Sequence, residues 1–326
     1  MGDGSNGITN SGLGQVNLTL KKRLKLFQIA SVFFFLLCLS SCRSEVSSGL
    51  DYSRTWTYAQ SRTLEFQCVI NSAEEIDANV INTVLTQISG SAALEYRKDT
   101  CTFAIQEIKV KIGAGEVEFS YDSSQTYTDE RDILRNTPFS VLLNQKFVLQ
   151  FDENGRVSEM EGYDTVTEAL DRQAGHSETG YQIKRTFYDY FSEDTLKFLM
   201  ERMTAQIPFR EIAADSEIAA ESTNILPYGC DFSTVFQYNG ATGSSHDFDL
   251  SGSVSAKHEY TGIQFDLTGE TTGKMKIYES SGSGSPFREG YEQSNLKGTE
   301  TYENDGQAVT RKLSLTFSLQ YNILNN

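Results

Sequence analysis

Lys312-Leu313-Ser314-Leu315-Thr316-Phe317-Ser318-Leu319-Gln320-Tyr321 decides the fold class. Leu313, Leu315, Phe317, Leu319 and Tyr321 face one way, and Lys312, Ser314, Thr316, Ser318 and Gln320 face the other. Period-two alternation of this kind predicts a β-strand. One dry and one wet face point to an antiparallel sheet.

Working outward, the same pattern recurs. Upstream lies the turn Asn304-Asp305-Gly306, preceded by a strand over Leu296 to Glu303. Earlier still are Phe232/Thr234/Phe236/Tyr238 ending at Asn239-Gly240, Val254/Ala256/His258/Tyr260, Ile263/Phe265/Leu267, and Met275/Ile277. These read as four separate strands. In the N-terminal half, Trp56, Tyr58, Leu64, Phe66 and Cys68 alternate with polar residues, and 94–112 reads as extended. Asn71 to Ile88 has competing helical and strand signals, and Thr83, Val84 and Thr86 favour a strand. Gly113-Ala114-Gly115 turns the chain, and Val117, Phe119 and Tyr121 return it.

Phe147/Leu149/Phe151, then Asp152-Glu153-Asn154-Gly155, then Val157 predict a hairpin, with Asn-Gly supplying positive φ. The acidic turn superficially resembles a calcium loop, but its remaining ligand positions do not follow. Two helices are expected next. Asp164 to Arg172 carries Val166, Ala169 and Leu170; Ser192 to Gln206 carries Leu196, Leu199, Met200 and Met203, with Ser192 as N-cap and Pro208 as the stop. The expected fold is therefore mainly β with minor α (α+β), a curved antiparallel sheet packed with two short helices. A transmembrane barrel also alternates, but the exposed faces here are charged.

The block from Thr137 to Ser216 resembles an uncharacterised family of β-rich bacterial lipoproteins. The resemblance rests on Phe147-Val148-Leu149-Gln150-Phe151-Asp152-Glu153-Asn154-Gly155-Arg156-Val157, on Glu161-Gly162-Tyr163-Asp164, on Ser192-Glu193-Asp194-Thr195-Leu196, and on Ile207-Pro208. The family usually continues with a Gly-Asp pair and a tryptophan; this chain reads Ala214-Asp215-Ser216-Glu217. The resemblance implies a fold and a location, and carries over no functional residues.

The N-terminus predicts the location independently. Lys21, Lys22, Arg23 and Lys25 precede an apolar run from Leu26 to Leu39, the layout of a secretory signal. The run is shorter than the roughly 20 residues a spanning helix needs. It ends in Leu39-Ser40-Ser41-Cys42, which resembles a lipobox: Leu39, Ser40 and Ser41 would be recognised and cleaved, and Cys42 lipidated. Residues 1–41 are thus expected to be a signal peptide carrying an N-terminal extension, with the true start nearer Lys21. Residues 42–52 would be a lipidated tether, and 53–326 one β-rich body with a helical block at 163–207. Arg43, in place of an inner-membrane retention aspartate, favours the outer membrane, facing the periplasm or the cell surface.

The chain has 28 Lys and Arg against 44 Asp and Glu, a formal charge of −16. Removing residues 1–41 takes away four basic groups and one acidic group, leaving −19. That balance excludes a nucleic-acid partner and fits solubility outside the cytoplasm. Three cysteines follow Cys42: Cys68, Cys101 and Cys230. At most one disulfide can form, and Cys68–Cys101 is the expected pair.

No metal or cofactor is expected, because no zinc spacing, nucleophile elbow or phosphate loop occurs. His246, in Ser244-Ser245-His246-Asp247-Phe248-Asp249, reads as part of a polar loop between strands; Glu159 and Glu161 form an acid pair of no specificity. The expected function is non-catalytic: a membrane-anchored lipoprotein that binds an envelope protein or scaffolds an assembly. The alternatives are a carrier or sensor of an apolar ligand and, behind it, a carboxylate-based hydrolase. An apolar cavity above about 300 Å³ would favour the carrier; a filled core would favour the scaffold.

Overall fold

The computed structural model describes residues 49–51, 60–76, 79–97, 99–115, 117–129, 137–204, 207, 210–224, 228–260, 262–278 and 287–325. Trp56, Tyr58 and Pro208 lie outside them.

Most of the described chain enters one antiparallel sheet. Its strands are β2 (Gln60–Ile76), β3 (Asn79–Arg97), β4 (Thr100–Ala114), β5 (Val117–Asp122), β6 (Phe147–Phe151), β7 (Val157–Glu161), β9 (Glu217–Asn224), β10 (Cys230–Thr242), β11 (Ser245–Tyr260), β12 (Ile263–Tyr278), β13 (Phe287–Asn304) and β14 (Gln307–Asn325). A separate short pair joins β1 (Leu50–Asp51) to β8 (Glu211–Ile212). The spatial order is β7-β6-β4-β3-β2-β14-β13-β12-β11-β10-β9, with β5 also paired to β4. The C-terminal strand β14 therefore sits at the centre, hydrogen-bonded to both β2 and β13. This explains its clean alternation: a central strand meets the core along its whole dry face.

The expectation of a mainly β fold with minor α holds. Among the described residues three α-helices occur where two were expected: α1 (Tyr163–Ala174), α2 (Glu178–Phe191) and α3 (Glu193–Thr204). Helix α2 is the one the sequence reading missed. Its five aromatics have modest helix propensity, but Ile183, Phe187, Tyr190 and Phe191 form a buried stripe and Ser177 caps it by accepting from the Gly180 amide at 3.0 Å. Ser192 caps α3 as expected, accepting from the Thr195 amide at 3.2 Å.

The sheet curls on itself. The Phe232 and Phe317 rings approach to 6.1 Å, although β10 and β14 are four strand steps apart. On a flat sheet that path is about 19 Å. Curling brings the inner faces together and leaves β7 and β9 as the two edges, both contacted by α3. Glycines permit the curvature where strands press closest. A Cβ on Gly298 would lie 1.9 Å from the Asp266 carbonyl oxygen, and one on Gly269 would lie 1.9 Å from that of Asn295.

Described side chains pack the inner face. Under α1 and α2, Phe139 contacts Phe119, Tyr121, Phe187 and Phe191 at centroid distances from 5.2 to 5.9 Å. Tyr190 ties α2 to β3 by accepting from the Thr86 hydroxyl at 3.2 Å. Helix α3 threads the curl and is buried on nearly every side, including Glu201 and Arg202. The single apolar stripe expected of it was too narrow a reading.

Several boundaries also differ from expectation. Asn239-Gly240 does not end β10; it forms a bulge, and the strand continues to Thr242. The two strands expected around Phe265 and Met275 are one, β12. Strand β13 begins at Phe287, well before Leu296. In the β6–β7 hairpin only Gly155 takes positive φ, and a Cβ there would meet the Ile207 carbonyl oxygen at 2.2 Å. The Asp152 carboxylate accepts from the Asn154 and Arg156 amides, both at 2.9 Å, and so serves the turn.

Candidate functional site

Leu39, Ser40, Ser41 and Cys42 lie outside the described residues. Most of the expected tether does too, but its end is not free chain. Leu50 is fully buried and pairs with Ile212.

Cys68 and Cys101 are not brought together; both are buried free thiols, as is Cys230. Strand β3 lies between them, with Cys68 opposite Ile88 and Cys101 opposite Tyr96. Eight residues along a strand is about 26 Å, far beyond the roughly 7 Å Cα separation a bridge tolerates. The sequence reading placed both in strands but could not place the strands. Burial pushes the Cys68 thiol up to about 12, helped by the charge of Glu292, and burial with Asp231 nearby does the same for Cys230. Thiols this weakly acidic are poor nucleophiles.

His246 is not in a loop. It lies within β11, is buried, and its Nδ1 is 2.6 Å from the Tyr238 hydroxyl on β10. Glu159 and Glu161 are exposed on the edge strand β7, and Glu161 accepts from the Gln150 amide at 2.7 Å. Among the described residues no group of three His, Cys, Asp or Glu side chains could hold a metal ion. No described helix is long and apolar enough to cross a membrane.

The most chemically unusual place is one the sequence reading missed. Inside the curl, Arg202 of α3 donates to Glu292 of β13 at 2.8 Å, and both side chains are almost wholly buried. Thr271 of β12 donates to the same carboxylate oxygen at 2.9 Å, and Ser294 donates to Thr271 at 2.9 Å. Arg288 extends the network by donating to the Tyr321 hydroxyl at 3.1 Å and to the Arg202 carbonyl at 3.4 Å. The Arg202 guanidinium also lies 4.4 Å from the Phe232 ring centroid and 5.0 Å from that of Phe198. Its Nε and Nη1 make no hydrogen bond, and the aromatic faces partly offset that loss. Burial pulls this guanidinium below the usual arginine range, while Glu292 and Glu201 oppose the pull. The one visible signal was a Glu201-Arg202 pair inside a methionine-rich helix, with Phe198 one turn before Arg202.

The ion pair occupies the interior between β12, β13 and α3, with the Thr271 and Ser294 hydroxyls beside it. Three concavities lined by described residues open on the outer, wet face. One of about 390 Å³ lies over β2, β13 and β14, and one of about 310 Å³ over β2 to β5. They share Gln67. A third, of about 440 Å³, lies over β11 to β13 and is lined by charged residues such as Lys257, Glu259 and Asp266.

No curated protein matches the chain in sequence. Among solved structures it is similar to lipovitellin, whose description concerns its lipid–protein interactions, at 9% identity and a TM-score of 0.45. The match covers 81% of this chain and 25% of that one, so the chain spans a quarter of lipovitellin. It is also similar to OccK5 of Pseudomonas aeruginosa, at 5% identity over 81% of this chain and 98% of that one, TM-score 0.20. OmpT of Vibrio cholerae, an outer membrane protein in a loop-deleted form, matches at 8% identity over 81% and 99%, TM-score 0.17. At these scores none of the three bears on function. One family matches in sequence over residues 98–283, more than half the chain, from β4 through the helices to β12. The chain belongs to the family of unknown function DUF6263.

Proposed function

We propose that this chain is a lipid-anchored bacterial envelope lipoprotein whose body acts without catalysis, binding a partner or scaffolding an assembly. The location follows from the basic cluster Lys21–Lys25, the apolar run to Leu39 and the small-small-Cys ending at Cys42. In this reading lipid on Cys42 holds the body at the outer membrane, facing the periplasm or the cell surface.

One observation carries the activity reading. The inner face of the curl holds α3, aromatic rings and the Arg202–Glu292 pair, and three concavities lined by described residues open on the wet face. A filled interior favours surface recognition over carriage. Exposed Ile76, Val80 and Ile81 around the β2–β3 turn add apolar contact area of the kind partners cover.

Two measurements test the reading. Cells given a labelled fatty acid should label the wild-type chain and leave Cys42→Ala unlabelled; equal labelling of both removes the anchor. Native mass spectrometry of the detergent-purified chain should give the lipidated mass alone. A further stoichiometric lipid would favour the second reading, carriage of an apolar ligand, which draws on the curl of the sheet around α3.

A further inference from the structure

The wet face of the sheet is divided by charge. Over β11 and β12 it is a lattice of opposed ions: Asp249 with Lys274 at 3.6 Å, Lys257 with Asp266 at 3.8 Å, and Asp247 with Lys276 at 4.0 Å. Over β13, β14, β2 and β3 two adjoining cross-strand rows are uncharged, flanked on one side by a row that carries Glu289 and Glu65. One cross-strand row reads Tyr291, Gln320, Gln67, Ser89. The next reads Gln293, Ser318, Val69, Gln87. None of these eight residues carries a formal charge, in a chain of which 22% is charged.

We infer that this band binds a neutral carbohydrate chain. Three further observations support that occupant. The glutamine and serine side chains in the two rows make no hydrogen bond within the described residues, so their donors and acceptors face solvent and can exchange water for sugar hydroxyls. Tyr291, at one end of the band, is 51% exposed, and its ring offers a flat apolar face to the C–H side of a sugar ring while its hydroxyl stays wet. Two hollows, of about 390 and 310 Å³, open along the band and share Gln67. From β13 to β3 it is about 14 Å wide, and the second hollow extends it to β5.

Other polymers fit worse. A polyanion would meet a protein of net charge −16. The charges lining the second hollow are Lys109 and Asp122, which pair with each other at 3.0 Å, and Lys111. A protein partner would want an apolar or arginine-rich centre, and the two rows offer only Val69 and one tyrosine. The inference rests on the partner-binding reading and names the partner's chemical class.

Affinity electrophoresis of the full, detergent-solubilised chain tests it. Gels would contain laminarin, a neutral glucan; glycol chitin, a neutral amino-sugar polymer; or polygalacturonate, an acidic one. Retardation is expected with at least one neutral polymer. Tyr291→Ala and Gln67→Glu should each weaken it about ten-fold, the equivalent of one stacking contact or a few hydrogen bonds. Both sites face solvent, and unchanged urea midpoints would show that the variants remain folded. Migration unaffected by either neutral polymer, retardation by polygalacturonate alone, or variants retarded like wild type would each overturn the inference. A photoreactive residue at position 67 in intact cells separates its failure from that of the parent reading. A cross-link to one envelope protein, without glycan retardation, overturns the carbohydrate and leaves partner binding standing; neither signal removes both.

Discussion

Strands β13 and β14 are paired over seventeen consecutive register positions, from Arg288 opposite Ile323 to Asn304 opposite Gln307, yet their inner faces have opposite chemistry. On β14 the buried positions are Leu313, Leu315, Phe317, Leu319, Tyr321 and Ile323. On β13 they are Arg288, Glu292, Ser294, Leu296 and Glu300, with Gly290 and Gly298 between. The difference comes from what lies across the curl. Phe317 faces the Phe198 and Phe232 rings. Glu292 faces Arg202, on the same helix as Phe198 and one turn further along. One helix thus imposes apolar chemistry on one strand and ionic chemistry on its neighbour.

The comparison can be broken most directly at Glu292. Glu292→Ala leaves Arg202 buried without its carboxylate and should cost about 4 kcal/mol, within the range for halving a buried pair. The urea midpoint should fall at an unchanged slope. The double variant Arg202→Met with Glu292→Leu should recover most of that loss, since an apolar pair of similar volume often matches a buried ion pair. If the double variant is as unstable as the single one, the polar lining of β13 has a role beyond pairing.

Leu319 is the register partner of Glu292. Leu319→Ala should cost about 3 kcal/mol from lost burial and the cavity left behind. It should have no compensating second substitution on α3, and a double-mutant cycle with Arg202→Met would show whether the two strands are energetically separate. Ser294→Ala removes one hydroxyl that donates to Thr271. It should cost about 1 kcal/mol, the net worth of one buried hydrogen bond, measured the same way.

The smallest effect is on pH dependence. Burial raises the Glu300 carboxyl above its ordinary value, and Glu74 adds to the rise while Arg311 opposes it. The folded state therefore holds this proton more tightly than the unfolded chain. The contribution is fully present below the ordinary glutamate value and is lost as pH climbs through the raised one. Glu300→Gln should flatten that part of the stability–pH curve. A wild-type curve that instead rises with pH in this window, with the variant parallel to it, would show that Glu300 is not the group responsible.

The same contrast explains which elements could be read from sequence. Strand β14 was plain because its inner face is wholly apolar. The first nine residues of β13 were invisible because Arg288, Gly290, Glu292 and Ser294 occupy the inward positions, so polar and apolar no longer alternate. Strand β12 broke into two for the same reason, with Thr271 and Gly273 inward at its centre. His246 looked like a loop residue because its neighbours are Ser and Asp, and its partner Tyr238 belongs to the adjoining strand. Helix α2 had a readable cap and stripe, masked by its aromatic content.

Sequence alone determined the periodicity of the apolar strands, the turns at Gly155 and Asp305-Gly306, the Ser192 cap and the acidic balance. Each depends on residues adjacent in the chain or on composition. Tertiary structure decided the separation of Cys68 from Cys101, the buried Arg202–Glu292 pair and the alignment of uncharged side chains around Gln67. Those depend on strand order, register and curl, which bring together residues as far apart as 202 and 292, or 67 and 320. No local spacing encodes such pairings, because they are set by which faces the whole sheet must bury.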